Sequence, residues 1–139
     1  MAEKFNNYLT SRSYALNNTQ ILVPKAGQNL SGNGSGSRPE NAISQIHSIY
    51  VTKHVSADYS NDPLTQKSII SLSVVDTSVS PNKEYFIANS VIVLPHSSFY
   101  IEKAITLLPQ QQLKLTYSNI SGNPSGVTLS TICSSVDIV

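Results

Sequence analysis

The chain has 139 residues, of which 40% are hydrophobic and only 12% charged, and its formal net charge is +1. That length suits one domain with a real core. The scattered Lys and Arg residues form no patch, which excludes the clustered basic surface that non-specific nucleic-acid binding needs. No apolar run reaches membrane-spanning length and MAEKFNNYLTSR lacks the apolar core of a secretory signal, so a soluble protein made in the cytoplasm, without a membrane partner, is expected.

In chain order, residues 1–12 read as a polar N-terminal arm with Phe5, Tyr8 and Leu9 as apolar anchors, either frayed or docked on a neighbouring subunit. Residues 13–139 then read as a single β-sandwich domain. A strand over Ser13–Val23 leads to a turn at Pro24-Lys25-Ala26-Gly27 and to a long Gly/Ser loop over residues 28–46. Further strands are expected at His47–Lys53, Glu84–Val93 and Ser98–Leu107, each rich in β-branched or aromatic residues. Three segments alternate at period two: SIISLSVVD turns Ile70, Leu72 and Val74 inward, QLKLTYS turns Leu113, Leu115 and Tyr117 inward, and VTLSTIC turns Val127 and Leu129 inward. Turn signals punctuate them at residues 60–63, 80–83, 94–97, 109–111 and 122–126. Seven to eight such strands predict an all-β fold, an antiparallel β-sandwich of jelly-roll-like type.

Reactive chemistry finds little support. NLSGNGSGSRPE has Gly32, Gly34 and Gly36 but no Gly-Lys-Ser/Thr and no following helix, so it reads as a polar loop and not a phosphate cradle. His47 and His54, seven residues apart on one strand, face opposite ways unless a bulge intervenes, whereas His54 and His96 could meet across strands without a recognised ligand spacing. Asp58 and Asp62 bracket Tyr59-Ser60-Asn61 with oxygen ligands, but the stretch lacks the glycine and terminal glutamate of a calcium loop. No Gly-x-Ser-x-Gly elbow precedes a helix, and lone Cys133, which rules out an internal disulfide framework, ends an alternating strand where burial is the default. No enzyme activity, cofactor or metal is expected. Tyr50, Tyr85, Tyr100 and Tyr117 fall within strands as core or subunit contacts, with sugar stacking as the alternative.

The order Phe5-Asn6-Asn7, ILVPKAG (Ile21–Gly27), HSIYVTK, SLSVVDTS, EYFIANSVIVLPHSSFYI and AITLLPQQQLKLTYS resembles a family of small virion structural proteins of tailed, marine-type bacteriophages. Gln110-Gln111-Gln112 stands where the family has a Gly-Asp turn, and residues 28–46 are longer than its usual connection, so NLSGNGSGSRPE resembles an insertion. The resemblance implies a non-enzymatic building block in the virion, synthesised in the host cytoplasm. It would decorate a capsid or join a neck, collar or tail, as a trimer or higher ring with capsid or connector/tail proteins as partners. The long loop and both termini are then the expected subunit contacts: Phe5, Tyr8, Asn29, Gly32, Gly34, Gly36, Arg38, Asp137 and Val139. A glycan-binding module of a phage fibre or baseplate is the alternative.

Overall fold

The computed structural model describes residues 2–13, 18–30, 34–55, 68–94, 96–119 and 127–139. Among the described residues ten strands carry the fold: β1 (Glu3–Ser13), β2 (Asn18–Val23), β3 (Gly34–Ser35), β4 (Ile43–Val55), β5 (Ser68–Asp76), β6 (Lys83–Val93), β7 (Ser98–Ile101), β8 (Ile105–Leu107), β9 (Gln111–Asn119) and β10 (Val127–Ile138). One sheet runs β3-β1-β10-β4-β7, with β8 also on β4, and the other runs β2-β9-β5-β6, every pair antiparallel. Setting aside the two-residue β3 and counting β7 with β8 as one interrupted strand leaves eight. They pair first with last, second with seventh, third with sixth and fourth with fifth. A long hairpin rolled up on itself gives this order, which is a jelly roll.

The alternating segments behave as their pattern predicts. Ile70, Leu72, Leu113, Leu115 and Tyr117 are buried and meet Ile46, Ile49, Val51, Leu129 and Cys133 from the opposite sheet. Burial pushes the Cys133 thiol up to about 12, so it packs as a small hydrophobe. Val74 is partly buried against the same core. The expected single strand over Ser98–Leu107 is broken into β7 and β8.

The N-terminal segment departs from expectation. Residues 3–13 are no arm: β1 pairs with β10 along its whole length, and Ala2 and Val139 exchange backbone hydrogen bonds at its end. The sequence conceals this because the inward row is polar. Tyr8 and Thr10 point inward, Thr10 against the Thr131 hydroxyl, while Phe5 and Leu9 point out to solvent.

The expected long loop is also structured where described. Asn29 bridges Ser37, the Leu30 amide donates to the Gly36 carbonyl, and Gly34–Ser35 add a short edge strand to β1 at Leu9 and Thr10. Gly36 has φ +139, and a Cβ there would stand 2.7 Å from Tyr8 Cδ1, so glycine is what allows this close approach. Gly32, like Asp58 and Asp62, lies outside the described residues.

Arg38 closes this end of the sandwich. Its guanidinium is almost fully buried and donates to the carbonyls of Pro24, Ala42, Leu107, Leu108 and Gln111 and to the Ser44 hydroxyl, at 2.7–3.0 Å. One side chain thereby satisfies carbonyls at the ends of β2 and β8 and at the starts of β4 and β9. Desolvation lowers the Arg38 pKa, while Tyr8 and Asp137 act in the opposite direction. Asp137, also buried, accepts from Tyr8 Oη at 2.8 Å, Asn6 Nδ2 at 3.1 Å and Ser135 Oγ at 3.0 Å. Burial, then Asp137, raises the Tyr8 phenol well above its ordinary value.

A second buried polar group lies at the far end of β4. Lys53 follows Ile49 and Val51 on the inward face, and its Nζ donates to Ser68 Oγ at 2.6 Å, which in turn donates to Tyr117 Oη at 3.2 Å. Desolvation brings the Lys53 ammonium down to about 8.

Two tests follow from this polar interior. Arg38→Met should cost about 3–5 kcal/mol in urea unfolding, because buried carbonyls lose their donors, and Arg38→Lys, with its fewer donors, should restore only part. An Arg38→Met protein within about 1 kcal/mol of the parent would refute the closing role. For Lys53, the unfolded chain holds the proton more tightly than the folded one between pH about 8 and lysine's ordinary value of 10.5, so this group adds stability as pH rises through that window. Urea midpoints of the parent should therefore gain on those of Lys53→Met from pH 8 to pH 10.5. Parallel profiles would contradict it.

Candidate functional site

Among the described residues no group of three or more His, Cys, Asp or Glu converges on a point. The features available for recognition are two apolar surfaces, one on each sheet.

The first is the outer face of the β1-β10-β4-β7 sheet. Register places Leu9 opposite Ile132, Ile132 opposite Tyr50, and Tyr50 opposite Tyr100, a row straight across four strands. The two tyrosine rings stack with centroids 5.8 Å apart at 27°, and Tyr100 is 59% exposed. Tyr50 Oη donates to Glu102 Oε1 at 2.6 Å, a bond that raises the phenol's pKa. Thr52 and Ser98 share a hydroxyl bond at 3.0 Å one step along the same strand pair. Phe5, 82% exposed, stands opposite Val136 nearer the chain ends.

The second surface is β6. Among the described residues it pairs with β5 alone, which leaves an edge of 11 residues on its other side. Its charges, Lys83 and Glu84, sit at one end, and Glu84 is occupied by Ser73 Oγ at 2.7 Å and Lys114 Nζ at 3.0 Å, which lower its pKa. The stretch YFIANSVI beyond them carries none, and Tyr85, Phe86 and Ile92 are 54–55% exposed. A kink at Ser90, φ 58, and register shifts against Ile70–Ser73 divide this edge in two. Edges are ordinarily guarded by charge or proline, and this one is guarded only by its kink.

The residues expected at a subunit interface divide sharply. Phe5, Asn29 and Val139 are exposed, and Gly34 and Gly36 are half-buried against β1 and Leu30. Tyr8, Arg38 and Asp137 are corrected to interior positions: their polar groups are bonded to one another's neighbours inside the chain, so they cannot offer side chains to a partner. Gly32 is outside the described residues.

For the histidines, β4 carries an extra residue at His47, where its register with β10 shifts between Ser134 and Ser135. The bulge exposes His47 as well as His54, yet about seven strand residues, roughly 23 Å, keep them apart. His54 and His96, in contrast, meet with ring centroids 5.5 Å apart. Alternation alone identifies inward Lys53, and nothing in the sequence pattern marks Arg38 as buried.

No family model matches the chain, and no curated protein matches it. Among solved structures it is similar to the infectious bursal disease virus Gx strain structure, at 12% identity and TM-score 0.49 over 99% of this chain and 32% of that one. It is similar also to Turnip Yellow Mosaic Virus, at 11% identity and TM-score 0.40 over 99% of this chain and 92% of the other. For a Cowpea Mosaic Virus empty virus-like particle the values are 9% and 0.40, over 96% and 79%. The chain spans about a third of the length of the infectious bursal disease virus chains it matches. Likenesses at these identities and scores carry no activity or partner to this chain.

Proposed function

We propose that the protein is a non-enzymatic structural component of a virion, of bacteriophage type, that assembles with copies of itself and with capsid or connector/tail proteins. The observation that carries this reading is the open edge of β6, where Tyr85, Phe86 and Ile92 stand beside unpaired backbone with no charge between Tyr85 and Val93. Such an edge is a liability in a free monomer and an asset in a subunit whose neighbour covers it. The order of packing and turn motifs along the sequence supports the same reading, and the jelly roll is an architecture used by capsid proteins. Fold alone does not assign function, since lectins and other proteins share it. Phe5, Asn29 and Val139 are the further contact residues, and capsid decoration, a neck or collar, or a tail is the place in the particle.

The second reading, a glycan-binding module of a fibre or baseplate, has its own observation. The exposed Tyr50–Tyr100 stack, with Glu102 beside it, offers an aromatic face with a hydrogen-bond acceptor at its rim. Glycan-array binding that is lost in Tyr100→Ala, by a protein that stays monomeric, would replace the first reading with this one.

Light scattering on the purified chain tests the first. A trimer or larger ring is expected, with mass independent of concentration, and Phe86→Lys together with Ile92→Lys should reduce it to monomers that keep the parent's β-sheet circular dichroism, since both side chains are exposed in the single chain. A parent protein that is monomeric at every concentration would overturn self-assembly. So would a double variant that keeps the oligomer intact.

A further inference from the structure

His54 and His96 are far apart in the sequence and meet because of strand register. In the β4–β7 pair Tyr50 faces Tyr100 and Thr52 faces Ser98, and extending that register by two residues brings His54 opposite His96. The Lys53 amide donates to the Ser97 carbonyl at 3.0 Å, so the backbone pairing continues between the two histidines and the end of β7. Both rings lie on the solvent side, as do Tyr100, Thr52 and Ser98, so water and ions reach them freely. Their centroids are 5.5 Å apart and the planes meet at 71°.

We propose that His54 and His96 form a binding site for a divalent late first-row transition ion, each giving one imidazole nitrogen and leaving the other coordination positions to solvent. Two imidazoles that each hold a tetrahedral ion at about 2.0–2.1 Å have their centroids about 5 Å apart, which the observed separation meets with little movement. Imidazole is the ligand that suits zinc, copper and nickel, and among the described residues no carboxylate joins the pair to favour calcium or magnesium. The free thiol that would compete for a soft ion, Cys133, is buried in the core. His96 has φ +56, a left-handed conformation that histidine and asparagine tolerate better than most residues. The turn therefore presents its side chain toward β4 without needing glycine.

The site is independent of the assembly reading and is tested without it. Calorimetric titration of the full chain with zinc chloride at neutral pH should show one ion bound per chain. His54→Ala and His96→Asn should each weaken binding by about tenfold or more, since losing even an outer partner of a ligand costs about that much. His96→Asn keeps the left-handed turn. Because both side chains are exposed, the thermal midpoints without zinc should stay at the parent value. His47→Ala, an exposed histidine on the same strand, should bind as the parent does. No heat of binding in the parent at millimolar zinc would overturn the proposal. Unchanged affinity in both single variants, or equal loss in His47→Ala, would do so too. Half an ion per chain would show two copies sharing the metal and would overturn the pairing within one chain.

Discussion

The fold depends on one cation that has no solvent. A jelly roll ends in several connections that turn back at one end of the sandwich, and each leaves backbone carbonyls pointing at the others. Arg38 meets that requirement by placing a planar array of donors among carbonyls from the ends of β2 and β8 and the starts of β4 and β9. Lysine has too few donors, and an apolar residue has none. Burying a charge is costly, and the cost is offset by this satisfied shell and by the nearby carboxylate of Asp137, itself held by Tyr8, Asn6 and Ser135. The strands at both ends of the described chain are thus tied electrostatically to the connection that carries Arg38.

That arrangement explains which parts of the structure were legible in the sequence. Segments with one apolar face, such as SIISLSVVD and QLKLTYS, announce themselves because burial imposes period two on hydrophobicity. The two-sheet sandwich follows from counting them. β1 carries no strand signal because its inward side is Tyr8 and Thr10, whose polar groups pair with polar groups on β10, while its outward side displays Phe5 and Leu9. Hydrophobicity there is inverted. Residues 28–46 carry the glycine, serine and asparagine that signal turns, and Gly36 is indeed special, but for its contact with Tyr8. Tyr8, Arg38 and Asp137 fall among the expected subunit contacts by their position in the long loop and near the termini, whereas only a three-dimensional set of partners shows why they are inside. The sequence offers His54 and His96 as a cross-strand pair without deciding it, since the register of β4 on β7 decides it and no local spacing encodes register.

The surfaces follow a consistent division. The outer face of the larger sheet matches like with like across β4 and β7: tyrosine with tyrosine, hydroxyl with hydroxyl, histidine with histidine. Cross-strand pairs of this kind add to the core contacts of Phe99 and Ile101 in holding the short strand to its neighbour. The smaller sheet concentrates its exposed apolar area at one edge, β6, and keeps its ion pair, Glu84 with Lys114, at that strand's start. One face is thus suited to small ligands that approach from solvent, and one edge to a chain that runs alongside.

The pairing of β1 with β10 has a mechanical consequence. Ala2 and Val139 are hydrogen-bonded to each other, and the two strands run away from that point side by side in opposite chain directions. A tensile load applied through both ends would peel the ladder open one rung at a time, beginning at Ala2 and Val139, instead of shearing all its rungs together. Such geometry resists weakly. A protein of this design withstands stress when the load enters through its sheet faces or edges, and yields when it is pulled by its tails.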